Sequence, residues 1–216
     1  MTDRPLVAVL DYGIGNLHSA QKAIETMGAD ARLTTDAGLV ADADGVVLPG
    51  VGAFGACMNT LRSTGLEQPT LDAVASGRPF LGICVGMQML FDASEEDDTA
   101  TGLGVLPGTI RWIPPGVKRP QMQWNRLELR VPGDPMLVDL GDDPWVYFVH
   151  SLHGVPDDPA VVAATCEYGT TLNAAFRLGN VFATQFHPEK SGPTGLRLLS
   201  NFVRVCADAK VSGGAV

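Results

Sequence analysis

The residues best suited to chemistry lie in Gly82-Ile83-Cys84-Val85-Gly86, which follows an apolar run and precedes a segment with helical spacing. A cysteine between small residues at a strand-to-helix turn has the pattern of a nucleophile elbow, with a thiol in place of a hydroxyl. The N-terminus of the following helix favours the thiolate, and the N–H of Val85 points at an oxyanion formed beside the sulfur. Because cysteine is often buried and glycines are common at strand ends, this motif alone fits a structural cysteine equally well.

A nucleophilic cysteine needs a general base and a group that orients the base. Among the four histidines, His187 stands out because it follows an apolar strand predicted at Val181–Phe186. Pro188 restricts His187 to extended conformations, and Glu189 is close enough to fix the imidazole tautomer. Alone, a His-Pro-Glu turn is more often a surface corner. Together with a cysteine elbow about 100 residues upstream, it predicts a triad of Cys84, His187 and Glu189.

Two glycine-rich turns are further candidates for a site. Pro49-Gly50-Val51-Gly52 follows a predicted strand, and its glycines permit close approach of a ligand. Val51 or Gly52 could therefore supply a second oxyanion N–H, with an ordinary βα turn as the alternative. Gly13-Ile14-Gly15-Asn16 is faintly similar to a dinucleotide loop, but position 18 is histidine rather than glycine, so a nucleotide site has little support.

The first half of the chain alternates between strand and helix patterns. Strands are predicted at Leu6–Leu10, Gly45–Leu48 and Pro79–Cys84, and helices at His18–Met27, Cys57–Arg62, Leu71–Ser76 and from Gly86 to Phe91. This alternation predicts βαβ units and a parallel sheet, whose strand ends are the usual place for a site.

The second half is richer in short strands. An acidic segment, Ser94–Ala100, is predicted to be a solvated loop. Strands are predicted at Gly108–Ile113, Gln123–Val131, Trp145–His150, Val161–Tyr168, Leu172–Arg177 and Val181–Phe186, and a last helix from about Thr194 to Ala209. With no repeat and no linker, residues 1–216 are interpreted as one domain, with a core at about 6–209 and a frayed tail at 210–216.

Composition excludes several classes of protein. The chain has 216 residues, 45% of them hydrophobic and 18% charged, which is ordinary globular usage. Its net charge of −9 disfavours nucleic acid as a partner. No signal peptide and no stretch of roughly 20 apolar residues is present, so no membrane association is expected. The four cysteines are far apart with no C-x-x-C pair, which predicts no metal site, no disulfide scaffold, no cofactor and a cytoplasmic location.

The combined motifs resemble a known family. PFLGICVGMQML and QFHPEKS closely resemble the cysteine elbow and the His-x-Glu segment of class I (triad) glutamine amidotransferases. DYGIGNL, LPGVGAFG and YFVHS resemble the glutaminase subunits of imidazole glycerol phosphate synthase, an enzyme of histidine biosynthesis. The similarity runs from about Leu6 to Cys206. It implies an α/β, three-layer fold with a mostly parallel central sheet, helices on both faces and a β-rich second half.

The resemblance also implies residue roles. Cys84 would attack the side-chain amide of glutamine, His187 would take the thiol proton and give it to the leaving ammonia, and Glu189 would orient His187. Water would then hydrolyse the glutamyl thioester to glutamate. The residues implied to hold the oxyanion or contact the substrate glutamine are Val51, Gly52, Val85 and Gln88.

A partner follows from the same resemblance. Ammonia would pass through a dry passage to a (β/α)₈-barrel cyclase subunit in a heterodimer, which makes imidazole glycerol phosphate and an aminoimidazole carboxamide ribotide. Asn16, Tyr147 and Lys190 would lie near the partner face. Two departures from the family pattern, Gln121 with Gln123 and Leu152 with His153, are expected to affect the interface rather than the chemistry.

Two alternatives remain open. The chain could be the glutaminase subunit of another synthase, which the elbow and triad alone do not distinguish. It could also be a non-catalytic, partner-binding subunit, which loss of Cys84, His187 or Glu189 would indicate; all three are present.

Overall fold

The computed structural model of the chain describes residues 4–213, with side chains through residue 210. Its strands, in chain order, are β1 (Leu6–Leu10), β2 (Asp30–Thr34), β3 (Gly45–Gly50), β4 (Phe80–Cys84), β5 (Phe91–Ser94), β6 (Asp97–Thr101), β7 (Leu106–Trp112), β8 (Gln121–Arg126), β9 (Glu128–Leu129), β10 (Trp145–His150), β11 (Leu152–Pro156), β12 (Val162–Glu167), β13 (Thr171–Leu178) and β14 (Val181–Thr184). Its α-helices are α1 (Leu17–Thr26), α2 (Ala37–Asp42), α3 (Phe54–Ser63), α4 (Glu67–Ala75), α5 (Val85–Gln88) and α6 (Gly192–Gly213).

A central sheet of eight strands forms the middle layer, in the order β2-β1-β3-β4-β14-β13-β12-β9. The first five strands in this order pair in parallel, and the last three pair antiparallel. Every residue of β3, β4 and β14 is buried. Such continuously apolar strands are typical of a parallel sheet covered on both faces.

Helices cover this sheet in two groups. Helix α1 contacts α6, whereas α2 contacts α4. Strand order reverses at β1, and since βαβ crossovers are right-handed, the reversal places α1 and α2 on opposite faces. None of the helices in the described range is long and apolar enough to span a bilayer.

Two smaller sheets complete the β-rich second half. Strands β8 and β10 form an antiparallel pair, and the order β11-β7-β5-β6 makes a four-stranded sheet. The predicted fold class, a mostly parallel central sheet with helices and a β-rich second half, is confirmed.

Several element predictions are wrong in detail. The helix predicted from Gly86 to Phe91 ends after four residues, and Phe91 instead begins β5. The acidic segment predicted to be a loop contributes to the β5–β6 hairpin, in which Phe91 and Ser94 are buried while Glu95 and Asp98 are exposed. The sequence analysis missed β2, α2 and β11. Helix α6 begins two residues before Thr194 and continues past Ala209 to Gly213. Of the tail predicted to fray at 210–216, residues 214–216 lie outside the described range.

Candidate active site

Three neighbouring strands end at one place in the central sheet. Gly50 at the end of β3 pairs with Cys84 at the end of β4, and Thr184 at the end of β14 pairs with Ile83. The glycine turn, the cysteine elbow and the histidine segment therefore meet at the carboxyl edge of the sheet, where parallel α/β folds build their sites. The structure thus brings together the residues that the sequence separates widely.

The elbow has the strained geometry that its glycines permit. Cys84 has φ 55° and ψ −112°, a left-handed conformation that non-glycine residues rarely adopt. A Cβ at Gly86 would overlap the carbonyl oxygen of Leu48, and one at Gly82 would lie 3.1 Å from Met87 Cα. The small residues on either side of Cys84 therefore allow β3, β4 and α5 to approach closely around the thiol.

His187 lies between the thiol and a carboxylate. Its Nδ1 is 2.9 Å from Glu189 Oε1, and its ring hydrogen-bonds with the Cys84 thiol. Burial of the ring works to lower the pKa of His187. The hydrogen bonds with Cys84 and Glu189, together with the negative charges of both groups, outweigh burial and raise that pKa to about 9. At neutral pH, His187 therefore holds a proton beside the sulfur.

Backbone and side-chain hydrogen bonds fix the turn that carries His187. Its N–H donates to the Tyr147 carbonyl at 3.2 Å, and the Ser191 hydroxyl donates to the His187 carbonyl at 2.6 Å. The Tyr147 N–H donates to Ser191 Oγ at 3.0 Å, and Asn16 Nδ2 donates to Glu189 Oε1 at 3.5 Å. Tyr147 and Asn16, expected near a partner face, thus also contact the triad segment.

Two side chains hold the glycine turn against the elbow. The Tyr12 hydroxyl donates to the Pro49 carbonyl at 2.7 Å, and the Cys57 thiol donates to the Val51 carbonyl at 3.3 Å. Gly52 has φ 96°, which favours glycine at this position. Tyr12 is fully buried, and its phenol supports the glycine turn from below. This packing gives the DYG stretch a structural role.

A cavity of about 290 Å³ opens beside the thiol. Its lining comprises the predicted residues Val51, Gly52, Cys84, Val85, Gln88, His187 and Lys190, together with Glu96, Val149, His150, Ser151 and Leu152. All but three of the predicted site residues therefore face one space; Glu189 lies behind His187, and Asn16 and Tyr147 lie beside the turn.

Glu96 is a cavity-lining carboxylate that the sequence analysis missed. Its Oε2 accepts the Phe54 N–H at 2.7 Å, and its side chain lines the cavity from the β5–β6 turn. The only signal in the sequence was an acidic run, which is typical of solvated loops as well. Its position in the cavity depends on the β5–β6 hairpin, which packs beside β7.

A pair of glutamines lies beside the Cys84 thiol. Gln88 Nε2 donates to Gln185 Oε1 at 3.2 Å, and Gln185 Nε2 donates to Cys84 Sγ at 3.9 Å. Both side chains are buried. Gln185 is in the histidine motif, but its residue type gave no reason to assign it a role.

The two departures from the family pattern place polar groups inside the protein. Gln121 is fully buried with Oε1 3.0 Å from His150 Nε2, whereas Gln123 is exposed. His153 is buried with Nδ1 unpartnered. Burial lowers the pKa of His150 and of His153 to about 4. Because Leu152 lines the cavity, these departures reach the site as well as the surface.

Within residues 4–213, no group of three His, Cys, Asp or Glu side chains is arranged to hold a metal ion. The four cysteines, all described, are buried free thiols. The arrangement of Cys84, His187 and Glu189 supports nucleophilic attack by a thiol with help from an imidazole and a carboxylate.

Comparison with known proteins gives a consistent result. The model of the family described as glutamine amidotransferase class-I matches residues 8–206. The imidazole glycerol phosphate synthase subunit HisH of Synechococcus elongatus is 48% identical over 98% of both chains. That of Trichormus variabilis is 50% identical over 92% of this chain and 95% of its own.

Solved structures agree at the level of the fold. A glutamine amidotransferase structure superposes with a TM-score of 0.74 at 22% identity, covering 93% of this chain and 98% of its own. The structure of PurLQS from Thermotoga maritima also gives a TM-score of 0.74, at 20% identity and the same coverage.

Proposed function

The chain belongs to the class I glutamine amidotransferase family and, within it, to the HisH subunits of imidazole glycerol phosphate synthase; on this premise we propose that it hydrolyses glutamine through a thioester on Cys84 and delivers ammonia to a cyclase subunit. The observation that carries the proposal is the line of Cys84, His187 and Glu189 at the rim of a 290 Å³ cavity. A substrate carboxamide fits this space.

In the first half of the reaction, the Cys84 thiolate attacks the carboxamide carbon of glutamine. The C=O π electrons move to oxygen, giving a tetrahedral oxyanion. His187 holds the thiol proton and donates it to the departing nitrogen, so that ammonia leaves and the C–N bond breaks. Glu189 accepts the Nδ1–H of His187, which keeps Nε2 directed at the sulfur and stabilises the imidazolium.

In the second half, water attacks the glutamyl thioester. His187, now neutral, removes a proton from the water, and the second tetrahedral intermediate collapses with release of glutamate. The C–S bond breaks and the thiolate is regenerated beside the protonated His187. Each turnover therefore consumes one glutamine and one water and produces one glutamate and one ammonia.

Backbone N–H groups stabilise both oxyanions. The N–H of Val85 lies at the N-terminal end of α5, directly after the nucleophile. The turn at Val51 and Gly52 lines the same cavity and provides the second donor. Tyr12 and Cys57 support this turn through its carbonyls.

Two polar side chains account for recognition of glutamine. Gln88 lines the cavity next to the thiol and contacts the substrate. Glu96 also lines it, and its carboxylate suits the α-ammonium group of an amino-acid substrate. Glu96 also accepts the Phe54 N–H, which limits its movement.

The partner proposal extends to the surface around the turn at Pro188–Lys190. We propose that Asn16, Tyr147 and Lys190 lie at the interface with the cyclase subunit. Lys190 is exposed at the cavity, and Tyr147 packs edge-on against the half-exposed Trp124. We further propose a single domain, since one buried cluster joins both halves, and a cytoplasmic location, since all four thiols are free.

Glutamate release from glutamine tests this function. The purified chain is assayed alone and with a cyclase subunit carrying its nucleotide ligand, beside a Cys84→Ala variant that retains the partner surface. Stimulation by the cyclase and silence of Cys84→Ala are expected. Hydrolysis by Cys84→Ala would remove the nucleophile, and activity indifferent to the cyclase would favour another synthase.

A further inference from the structure

Gln185 is a fully buried amide to which the mechanism so far gives no task. It follows β14, and its backbone N–H donates to the Ala174 carbonyl of β13, which fixes where its side chain starts. The side chain then extends between Cys84 Sγ at 3.9 Å and Gln88 Nε2 at 3.2 Å. The Gln185 side chain therefore contacts both the Cys84 thiol and the cavity-lining Gln88.

The hydrogen-bonding capacity of these groups determines how they are oriented. A thiolate can only accept, so the NH₂ group of Gln185 must face Cys84 Sγ. Its Oε1 then faces Gln88, which must donate through its own Nε2. This leaves Gln88 Oε1 unused by the pair and available to the cavity that Gln88 lines. One buried amide thus fixes the orientation of another.

We propose that Gln185 is a further catalytic residue, whose amide N–H stabilises the Cys84 thiolate and whose carbonyl oxygen holds Gln88 with Oε1 facing the substrate. This inference rests on the proposed role of Cys84 as the nucleophile. Both effects come from one side chain, since a primary amide has a donor group and an acceptor oxygen on opposite sides.

The arrangement has a consequence for specificity. The NH₂ group of a substrate carboxamide can donate to Gln88 Oε1. The side-chain carboxylate of the product glutamate has no hydrogen to donate, so its oxygen and Gln88 Oε1 would repel each other. A buried site with an unmatched polar group discriminates strongly. The Gln185–Gln88 pair therefore favours binding of the amide over the acid and helps the product to leave.

The test uses Gln185→Met, Gln88→Met and the double variant, because methionine matches glutamine in length without its polar groups. The first readout is the rate of Cys84 alkylation by iodoacetamide at neutral pH, with the modified cysteine identified by peptide mass. Burial raises the pKa of Cys57, Cys166 and Cys206, which favours reaction at Cys84. The second readout is kcat and KM for glutamine in the complex with the cyclase subunit.

We expect Gln185→Met to slow alkylation by about tenfold, the effect of losing a hydrogen bond to a charged group, and to raise KM as well. Gln88→Met raises KM. The double variant should show the slower alkylation of Gln185→Met but the same KM as Gln88→Met, because the contact between Gln88 and the substrate is already lost in Gln88→Met. Asn201→Leu is the control, since Asn201 is also a buried amide but donates to the carbonyls of Met136 and Val138 and does not line the cavity; it should leave alkylation of Cys84 unchanged.

Unchanged alkylation in a folded Gln185→Met protein would overturn the proposal, as would additive KM effects in the double variant. Should Gln185→Met fail to fold, Gln185→Asn keeps a neutral amide but withdraws it by one methylene from both partners, and the same slowing is expected. Failure of the proposed function is distinct, because then Cys84→Ala would still hydrolyse glutamine whatever Gln185 does.

Discussion

Glu189 contacts the His187 ring, and we propose that it orients and charges this ring without contacting a reacting atom. Its carboxylate is 2.9 Å from His187 Nδ1, and only 2% of its side chain is exposed, so solvent screens the interaction little. One of its oxygens is buried without a hydrogen-bond partner in the described chain. A charged group kept in such a place stabilises an imidazolium at the expense of its own solvation.

Glu189→Gln should therefore change the pH dependence of glutamine hydrolysis. The amide can still accept the Nδ1–H, so the ring stays oriented, but the negative charge that raises the pKa of His187 is gone. The pKa is about 9 in the folded protein and 6.5 in the unfolded chain. Protonation of His187 therefore stabilises the folded wild-type protein fully below pH 6.5, and this contribution is lost as pH rises through 9.

In Glu189→Gln the pKa of His187 falls, because one of the charges that raise it is gone. We therefore expect the alkaline limb of the kcat/KM profile to move down by about one to two pH units.

A pH profile of kcat/KM with the cyclase present measures this shift. Glu67→Gln is the control, because Glu67 pairs with Arg62 on the surface and not with the site. An alkaline limb that stays in place in Glu189→Gln would show that Glu189 does not set the protonation of His187.

At the scale of elements, the packing of α5 against β3 requires a glycine at position 86. A Cβ there would overlap the Leu48 carbonyl and lie 3.1 Å from the Pro49 carbonyl carbon. Gly86→Ala should lower the free energy of unfolding by about 2 to 3 kcal/mol, as expected for overpacking, and abolish glutamine hydrolysis by separating the elbow from the glycine turn. Chemical denaturation and glutamate release measure the two effects.

The control for this substitution is Gly133→Ala, where an added Cβ meets nothing within 4 Å. Its free energy of unfolding should stay within about 0.5 kcal/mol of the wild type. Equal stability of Gly86→Ala and Gly133→Ala would contradict the close packing of the elbow.

Strand β11 contains the buried His153, which makes the stability of the protein depend on pH. Its pKa is lowered to about 4, first by burial and further by Arg111, with Glu95 opposing. The unfolded chain binds this proton near pH 6.5, so stability falls as pH drops from 6.5 to 4. His153→Phe should remove this loss and gain up to about 3 kcal/mol relative to the wild type at the acidic end.

Denaturation of both proteins across this pH range gives the difference, which also cancels the titration of carboxylates common to both. A constant difference at all pH values would mean that His153 is not buried in its neutral form.

At the scale of the whole molecule, acidic residues outnumber basic ones, giving a net charge of −9. An exposed lysine beside the cavity therefore stands out on this surface. Lys190 is such a cation, at the end of the turn that carries His187 and Glu189. Lys190→Ala should weaken binding of the cyclase subunit by about three- to fivefold, the range expected of an exposed ion pair. Calorimetric titration measures it. Lys22→Ala, whose side chain is 79% exposed on α1, should not change the affinity; equal affinities for all three proteins would remove Lys190 from the interface.

Several strands and the candidate site motifs could be predicted from the sequence, because each depends on residues close together in the chain. Short apolar runs between glycine turns predicted β1, β3, β4 and β14, and the spacing around Cys84 and His187 predicted an elbow and its base. These patterns reflect backbone sterics and burial over a few residues, which a sequence states directly.

Other features depended on contacts between distant residues. Met89, Leu90 and Phe91 are all fully buried and suit a helix or a strand equally, and only the pairing of β5 with β7 selects a strand at Phe91. The same pairing brings Glu96 from an acidic run to the cavity. The sequence by itself indicated the candidate reactive groups and the strands that carry them. Only the tertiary structure decided which amides and carboxylates surround the thiol, because a buried hydrogen bond between residues about 100 positions apart, such as Gln88 with Gln185, leaves no periodic pattern along the chain.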